Sequence, residues 1–230
     1  MSDDTKPGGD VAAGHRTPPR SRVGGRPRVF RDEDFFRATT RVLGRAGYEG
    51  LTLDAIAREF GGSTMAISRR FGSRRGLIRA YLEWSLGAVR ERFARAREQP
   101  GSPLEALRAR VRIPAQERIE EIGDPLDAER SANLRTFWSA VRSDPEFRSL
   151  ANQSVRDSER AVAELLELAA AAGEIADCDA REIGRVLIAA WTGTTALWAG
   201  DGPEGTLPER LETVFDAIIA PYRTAPRHSR

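Results

Sequence analysis

The sequence has 230 residues, 40% of them hydrophobic, and a formal net charge of +2, and no apolar run reaches the roughly 18 to 20 residues that a membrane span needs. The polar N-terminus carries no secretory signal, and the single cysteine, Cys178, excludes an intrachain disulfide, so we expect a cytoplasmic protein. The two histidines, His15 and His228, lie in the tails, and no metal-ligand cluster, nucleophile elbow or phosphate loop is present, so we expect neither catalysis nor a bound metal or cofactor.

The chain beyond its N-terminal arm has a helical pattern. Residues 1–29 are rich in Gly, Pro, Ser, Asp and Arg, and we predict a disordered basic arm because they cannot bury a core. From Arg31 onwards, apolar residues recur at helical spacing and no strand-like alternation is found, so we predict an all-α fold. The predicted helices cover about 31–46, 53–60, 64–71, 74–98, 103–113, a stretch between 114 and 123, 126–143, 145–172, 179–199 and 207–222.

The charge is distributed unevenly along the chain. Residues 16–80 carry 15 arginines and 6 acidic side chains, a net charge of +9, whereas residues 81–230 have a net charge of −5. A basic segment beside an acidic one favours a polyanion, such as nucleic acid, as the partner of the basic segment alone. The alternative is a solvated, arginine-rich surface.

Residues 51–73 read as two short helices joined by a tight turn. Thr52 and Ser63 are predicted N-caps, and Gly61-Gly62 forms the turn, where glycine tolerates a positive φ. A helix-turn-helix has this layout, because its second helix must enter the major groove with small or polar residues on its exposed face. An ordinary corner between two helices of a bundle has the same pattern.

These residues resemble the DNA-binding domain of the TetR family of transcriptional regulators. The run from Gly47 to Ala57 (GYEGLTLDAIA) is similar to the first half of that domain, and Gly25-Arg26-Pro27-Arg28 resembles its basic lead-in. The second half is matched, in register and without a gap, by Gly61, Ser63, Arg69, Phe71, Gly72, Ser73, Arg74 and Leu77. One departure is Met65-Ala66-Ile67-Ser68, where the family often has Gly-Thr-Leu-Tyr; the tyrosine usually touches a phosphate, so Ser68 makes a shorter contact or none.

The resemblance and the charge together indicate a set of DNA-binding residues, in which phosphate contacts position the protein and base contacts select the site. Thr52 and Ser63 cap their helices, contact phosphate, or do both. Arg74 stands where the family typically has a phosphate-contacting lysine; otherwise it is a solvated arginine. The full set is Arg26, Arg28, Thr52, Ser63, Thr64, Met65, Ser68, Arg69, Arg70 and Arg74.

Within that set, two groups have open alternatives. Thr64, Met65, Ser68 and Arg69 are the candidates for contact with base edges, and Met65 either contacts a thymine methyl group or rests on the neighbouring helix. The arm residues Arg26 and Arg28 either enter the minor groove or belong to a disordered basic tail.

The remaining helices are expected to form a dimerisation and ligand-binding body, as the resemblance implies. Two apolar stripes are candidates for the dimer surface, although their periodicity fits the core of a monomer equally well. They are Val155, Val162, Leu165, Leu166 and Ala169, and then Ile183, Val186, Leu187, Ala190, Thr194 and Leu197, with the small residues Ala189, Gly193 and Ala196 nearby. Large aromatics that line either a pocket or only the core are Trp84, Phe137, Trp138, Trp191 and Trp198.

The sequence therefore predicts an all-α protein with an N-terminal three-helix helix-turn-helix DNA-binding domain (30–75), followed by a helical ligand-binding and dimerisation domain (76–223) and a disordered tail (224–230). The expected function is that of a homodimeric repressor, released from a pseudo-palindromic double-stranded DNA operator by a small, largely apolar effector. The alternatives are an activator of the same fold, a helical enzyme and a protein-binding adaptor.

Overall fold

A computed structural model describes residues 30–98, 101–110, 127–200 and 205–224, and within these ranges the chain is helical and forms no strand. The predicted all-α class is confirmed. The predicted arm, the helix between residues 114 and 123 and the end of the predicted tail lie outside the described residues. The described helices are α1 (Asp32–Ala46), α2 (Leu53–Phe60), α3 (Thr64–Phe71), α4 (Arg74–Glu98), α5 (103–110), α6 (Ala128–Ser143), α7 (Arg148–Ala171), α8 (Ala180–Gly200) and α9 (Leu207–Ile219), followed by a 3-10 turn over Ala220–Tyr222.

The ends of the first helices follow from local side-chain chemistry. The hydroxyl of Thr52 accepts a hydrogen bond from the Ala55 amide at 3.1 Å, and that of Ser63 accepts one from the Ala66 amide at 3.3 Å. Gly47 ends α1 at a φ of 62°, and Gly61 ends α2 in the left-handed region. The caps and stops predicted for these helices are therefore present.

The turn between α6 and α7 differs from the expectation that a helix begins at Pro145. Helix α7 begins at Arg148, and Asp144 closes α6 instead. The carboxylate of Asp144 accepts the Glu146 amide at 2.9 Å and also receives Arg75, so the residues between the two helices fold as a turn.

The interior has two apolar parts, and α4 contributes to both. The first half of α4 buries Leu77, Ile78 and Tyr81 in the part that is formed with α1, α2 and α3. Its second half buries Phe93 and Ala96 against α5, α7, α8 and α9. Large members of this second part include Leu104, Leu107, Leu165, Leu166, Leu187, Trp198, Leu211, Phe215 and Ile219.

An aromatic cluster joins α6 to the N-terminal helices. Phe137 is fully buried, and its ring centroid lies 5.8 Å from that of Tyr81 and 6.1 Å from that of Tyr48. The Tyr81 hydroxyl in turn lies 3.1 Å from the Thr40 hydroxyl on α1. Aromatic pairs of this kind contribute about 0.5–1.5 kcal/mol beyond the area that they bury, so α1, α4 and α6 are held together at this point.

Two glycines of α4 should respond oppositely to alanine. A Cβ atom at Gly76 would clash with the carbonyl oxygen of Phe71, whereas a Cβ at Gly87 would meet nothing within 4 Å. Gly87→Ala should therefore raise the free energy of unfolding by about 0.5–1 kcal/mol through helix propensity. Gly76→Ala should lower it, because the backbone between α3 and α4 must move. Urea unfolding of both variants measures this, and equal stabilisation by the two would contradict the close approach at Gly76.

Candidate nucleic-acid interface

Helices α2 and α3 form a helix-turn-helix whose inner side is closed. The Gly62 amide donates to the Ala57 carbonyl at 3.0 Å, and the Phe60 ring covers Gly62, where any Cβ would clash with it. Ile56 of α2 and Ile67 of α3 are fully buried. The apolar residues therefore fix α3 from behind and leave its opposite face to solvent.

The outer face of α3 carries the residues that were predicted to contact DNA. Met65, Ser68, Arg69 and Arg70 are exposed, and Thr64 is half-buried. Met65 is 68% exposed, so its side chain does not rest on a neighbouring helix. The structure thus brings small, polar, apolar and cationic side chains together on one short helix.

The hydroxyls of Thr52 and Ser63 lie at the N-termini of α2 and α3. Both side chains accept from helix amides and both residues are exposed. A hydroxyl that accepts one hydrogen bond can still donate its own proton. Capping therefore leaves each residue able to donate to a phosphate oxygen.

Three arginines near the turn differ in what holds them. Arg74 donates from Nε to the Leu51 carbonyl at 2.5 Å and from Nη2 to the Tyr48 carbonyl at 2.6 Å, and its guanidinium lies 4.5 Å from the centroid of the Tyr48 ring. Arg70 is bound to Asp32 of α1. Arg69 is exposed and makes no ion pair with any residue that the structure describes. Arg74 therefore supports the turn before α2, and Arg69 is open to an external anion.

Carboxylates neutralise other arginines of the N-terminal helices. Glu59 of α2 pairs with both Arg41 and Arg45 of α1. Burial of Glu59 opposes its ionisation, but the hydrogen bonds from the two arginines outweigh this effect and lower the pKa of its carboxyl group. The net charge of +9 already includes Glu59, so what the pairing changes is how many of the 15 arginines are available to an external anion.

A second ion-pair cluster connects the start of α4 to the turn between α6 and α7. Arg75 donates to Asp144 at 2.9 Å and to Glu146, and its guanidinium lies 4.8 Å from the centroid of the Phe147 ring. Arg79 donates to Glu146 at 2.7 Å. Hydrogen bonds from Arg75 lower the pKa of Asp144 and of Glu146, so both carboxylates are charged at neutral pH.

Sequence reasoning missed the contacts that hold these arginines. Arg75 and Asp144 are 69 residues apart, and Arg70 and Asp32 are 38 residues apart. No local pattern connects residues at such separations, because helix-surface pairs that can be read from sequence lie three or four residues apart.

The predicted pocket aromatics fall into two groups. Trp84, Phe137 and Trp138 belong to the cluster around Tyr81, where Trp84 also lies 5.4 Å from Phe36 between ring centroids. On α8, Trp198 donates to the Gly205 carbonyl at 3.2 Å, and Trp191 packs against the core that α7, α8 and α9 share. A cleft of about 320 Å³ lies elsewhere, and its lining residues are Leu166, Glu167, Ala170, Ala171, Asp177, Cys178 and Ala180.

Metal-binding clusters and membrane-spanning helices are not found in the described part of the chain. Across residues 30–98, 101–110, 127–200 and 205–224, no three His, Cys, Asp or Glu side chains are grouped as metal ligands. Within the same ranges, every helix is too short or too polar to cross a bilayer.

A family model matches the region of the helix-turn-helix, and two curated relatives match slightly more than half of the chain. Residues 35–81 match the model of the bacterial regulatory proteins of the tetR family. The chain is 28% identical over 127 residues to YezE of Bacillus subtilis, described as an uncharacterized HTH-type transcriptional regulator, covering 54% of this chain and 61% of that protein. It is 27% identical over 129 residues to the HTH-type transcriptional regulator BetI of Burkholderia thailandensis, covering 56% of this chain and 64% of that protein. The chain thus spans less than two thirds of the length of either relative.

Solved structures with a similar fold cover more of the chain. A TetR transcription regulator from Haloarcula marismortui superposes with a TM-score of 0.68 at 19% identity, covering 84% of this chain and 98% of that one. A protein from Saccharomonospora viridis in complex with choline, described as a transcriptional regulator, gives 0.66 at 17% identity, covering 84% and 98%. The repressor FadR of Thermus thermophilus in complex with lauroyl-CoA gives 0.54 at 21% identity, covering 87% and 100%. At these identities the likeness is one of fold, with an N-terminal helix-turn-helix followed by a helical C-terminal region.

Proposed function

We propose that this chain, which belongs to the TetR family of bacterial regulatory proteins, is a DNA-binding transcriptional repressor released by a small molecule. The observation that carries the proposal is the outer face of α3, which is exposed, carries Arg69 with no ion-pair partner among the described residues, and is fixed from behind by Ile67. The relatives that it matches are transcriptional regulators, and we propose no catalytic activity. Residues 30–75 would form the DNA-reading head and residues 76–223 the sensing and dimerising body, in the cytoplasm.

The head would dock with α3 in the major groove. The first turns of a recognition helix contact base edges there, so Thr64, Met65, Ser68 and Arg69 are the base-edge candidates. Met65 has no hydrogen bond to offer a base beyond its weak thioether acceptor, and its complement in the groove is the thymine methyl group. Phosphates would be bound at Thr52 and Ser63.

Substitutions at Arg69 and Arg74 should differ in their effect on folding stability. Arg69→Ala should weaken DNA binding and reduce the slope of log affinity against log salt by about one for each phosphate that Arg69 neutralises, with thermal unfolding unchanged. Arg74→Ala should also lower the unfolding temperature, because the Tyr48 and Leu51 carbonyls would be left without their charged donor. Affinity for a duplex selected from a random pool, measured against salt, tests this.

The matched control for these variants is Arg156→Ala on α7, an exposed arginine of the acidic body. It should leave the salt slope and the affinity unchanged. If affinity and slope are both unchanged in Arg69→Ala, that residue is not part of the interface. Salt-independent binding of the wild-type chain would contradict the proposed function as a whole.

A homodimer would present two heads to a pseudo-palindromic site, and α8 offers a surface for it. The predicted stripe on α8 divides into two faces: Ile183 and Leu187 are buried within the chain, whereas Val186 and Leu197 are 45% and 66% exposed. Ala189 and Gly193, both exposed, lie between the two exposed apolar residues. On α7, Val155 and Leu168 are also exposed. An exposed apolar face such as the one on α8 favours a protein contact.

A charge on this face should prevent dimerisation. Val186→Asp should sediment as a monomer at micromolar concentration with its helical content retained, because the side chain is already exposed in the single chain. Thr192→Asp adds the same charge on the same helix, about 120° around the helix axis from Val186 by the helical repeat, and should remain dimeric. A monomeric wild-type chain would contradict the proposed assembly, and dimeric Val186→Asp would move the interface elsewhere.

The body would sense a small, largely apolar effector. The fold neighbours from Saccharomonospora viridis and Thermus thermophilus bind choline and lauroyl-CoA, which supports a ligand site in a body of this architecture. In this chain a shift of α6 would reach the head through the contact between Phe137 and Tyr81 and through the pairs of Arg75 with Asp144 and Glu146. The heads would then leave the spacing of about 34–36 Å that successive major grooves require.

Effector and DNA should weaken each other's binding equally. Choline, lauroyl-CoA and a panel of metabolites can be screened for compounds that raise the unfolding temperature. Each true effector should bind about 5- to 150-fold more weakly when the chain is saturated with its selected duplex, by the same factor with which it weakens DNA binding. Equal affinity with and without DNA would exclude that compound as an inducer. If no compound in the panel releases DNA, the sensing proposal fails and the protein is a constitutive DNA-binding dimer.

A further inference from the structure

The recognition helix carries an arginine that is bound to the start of α1. Arg70 donates from Nε to Oδ1 of Asp32 at 2.7 Å and from Nη2 to Oδ2 at 2.6 Å. This is a bidentate contact, in which two parallel N–H groups meet both oxygens of one carboxylate. The two side chains are 59% and 41% exposed, so the pair lies at the surface of the head.

The edge of Arg70 that holds Asp32 is the edge that would otherwise bind a phosphate. Arginine recognises carboxylate and phosphate through the same planar fork of donors, and the two anions therefore compete for it. Asp32 is ionised at neutral pH like any exposed aspartate, and its hydrogen bond with Arg70 lowers the pKa of the carboxyl group further. The competition is therefore present under ordinary conditions.

The pair is not needed to hold α3 in place. Ile67 is fully buried behind α3, and Phe71 packs its ring at 5.3 Å from that of Phe35 between centroids. Surface ion pairs add little to stability. The pair is therefore more important for the contacts that it prevents Arg70 from making than for stability.

We propose that Asp32 withholds Arg70 from the DNA backbone, so that the number of phosphates that the head neutralises is set by this intramolecular pair. The inference rests on the proposed function, since it concerns the affinity of the same interface. Phosphate contacts carry no sequence information. The pair therefore lowers affinity for every duplex alike, and it limits the time that the protein spends on DNA outside its operator.

Removing the Asp32 charge tests this. Asp32→Asn should bind a random-sequence duplex and a selected duplex several-fold more tightly, by the same factor, and should steepen the salt slope by about 0.9 for each head in contact. The gain should depend on the guanidinium of Arg70 that Asp32→Asn frees. Combining Asp32→Asn with Arg70→Gln should abolish the gain.

Glu33→Gln is the matched control. It removes the same charge one residue along the first turn of α1, where Glu33 lies 3.9 Å from Arg37 and is not bonded to Arg70. A gain as large as that of Asp32→Asn would assign the effect to general repulsion and overturn the proposal. A gain that persists when Asp32→Asn is combined with Arg70→Gln would also overturn it, because the freed Arg70 would then not be the source of the gain.

Two further outcomes separate this proposal from the proposed function. If the wild-type chain shows salt-dependent DNA binding and Asp32→Asn matches it in affinity and slope, only the role of the pair is wrong. If the wild-type chain binds neither duplex, the proposed function fails and the inference fails with it. Thermal unfolding of each variant confirms that the affinities compare folded proteins, and Asp32→Ser, which removes the same charge, supplies an independent test should Asp32→Asn be unfolded.

Discussion

Helix α4 takes part in both apolar regions of the molecule, and the packing of Tyr81 against Phe137 is the contact on which their arrangement depends. Tyr81 lies in the half of α4 that follows the helix-turn-helix, whereas Phe137 comes from α6. Phe137 is fully buried among aromatic rings. Because close-packed interiors leave little empty space, a displacement of α6 must move its neighbours. The packing of Tyr81 against Phe137 therefore connects the movement of α6 to that of α4, which follows the proposed head.

Electrostatics reinforces the same connection at the surface. Arg75 and Arg79 reach from the first turns of α4 to the acidic turn that ends α6. Individual exposed ion pairs contribute little, but a network of several charges with bidentate geometry is a better-defined contact. The aromatic cluster and this ion-pair network connect the same parts of the chain, because the first joins α4 to α6 and the second joins α4 to the turn that follows α6.

The arginines of the head show why net charge is a poor measure of a nucleic-acid surface. Glu59 takes two of them, Asp32 takes Arg70, and backbone carbonyls take Arg74. Arginine is suited to such intramolecular contacts, because its planar guanidinium can bind a carboxylate or carbonyls while its flat face stacks on an aromatic side chain. What remains for an external anion is a smaller and more specific set of donors, of which Arg69 on α3 is the best placed.

The amino-acid sequence by itself determined most of the described helices, the caps of α2 and α3 and the turn between them, although it misplaced the start of α7. Those features depend on residues that are close together in the chain: Thr52 caps an amide three residues away, and Gly61 ends the same short helix. The resemblance to the family was likewise confined to a short run, which the match over residues 35–81 reproduces.

Only the tertiary structure decided which side of each element is used. It divided the stripe on α8 into a buried face with Leu187 and an exposed face with Val186, although periodicity treats the two residues as one stripe. It placed Phe137 at the junction between α4 and α6 and Trp198 in the core shared with α9. The physical reason is that these outcomes depend on partners far away along the chain, as with Arg70 and Asp32 at 38 residues. Local propensity carries no information about which distant side chain a given residue will contact.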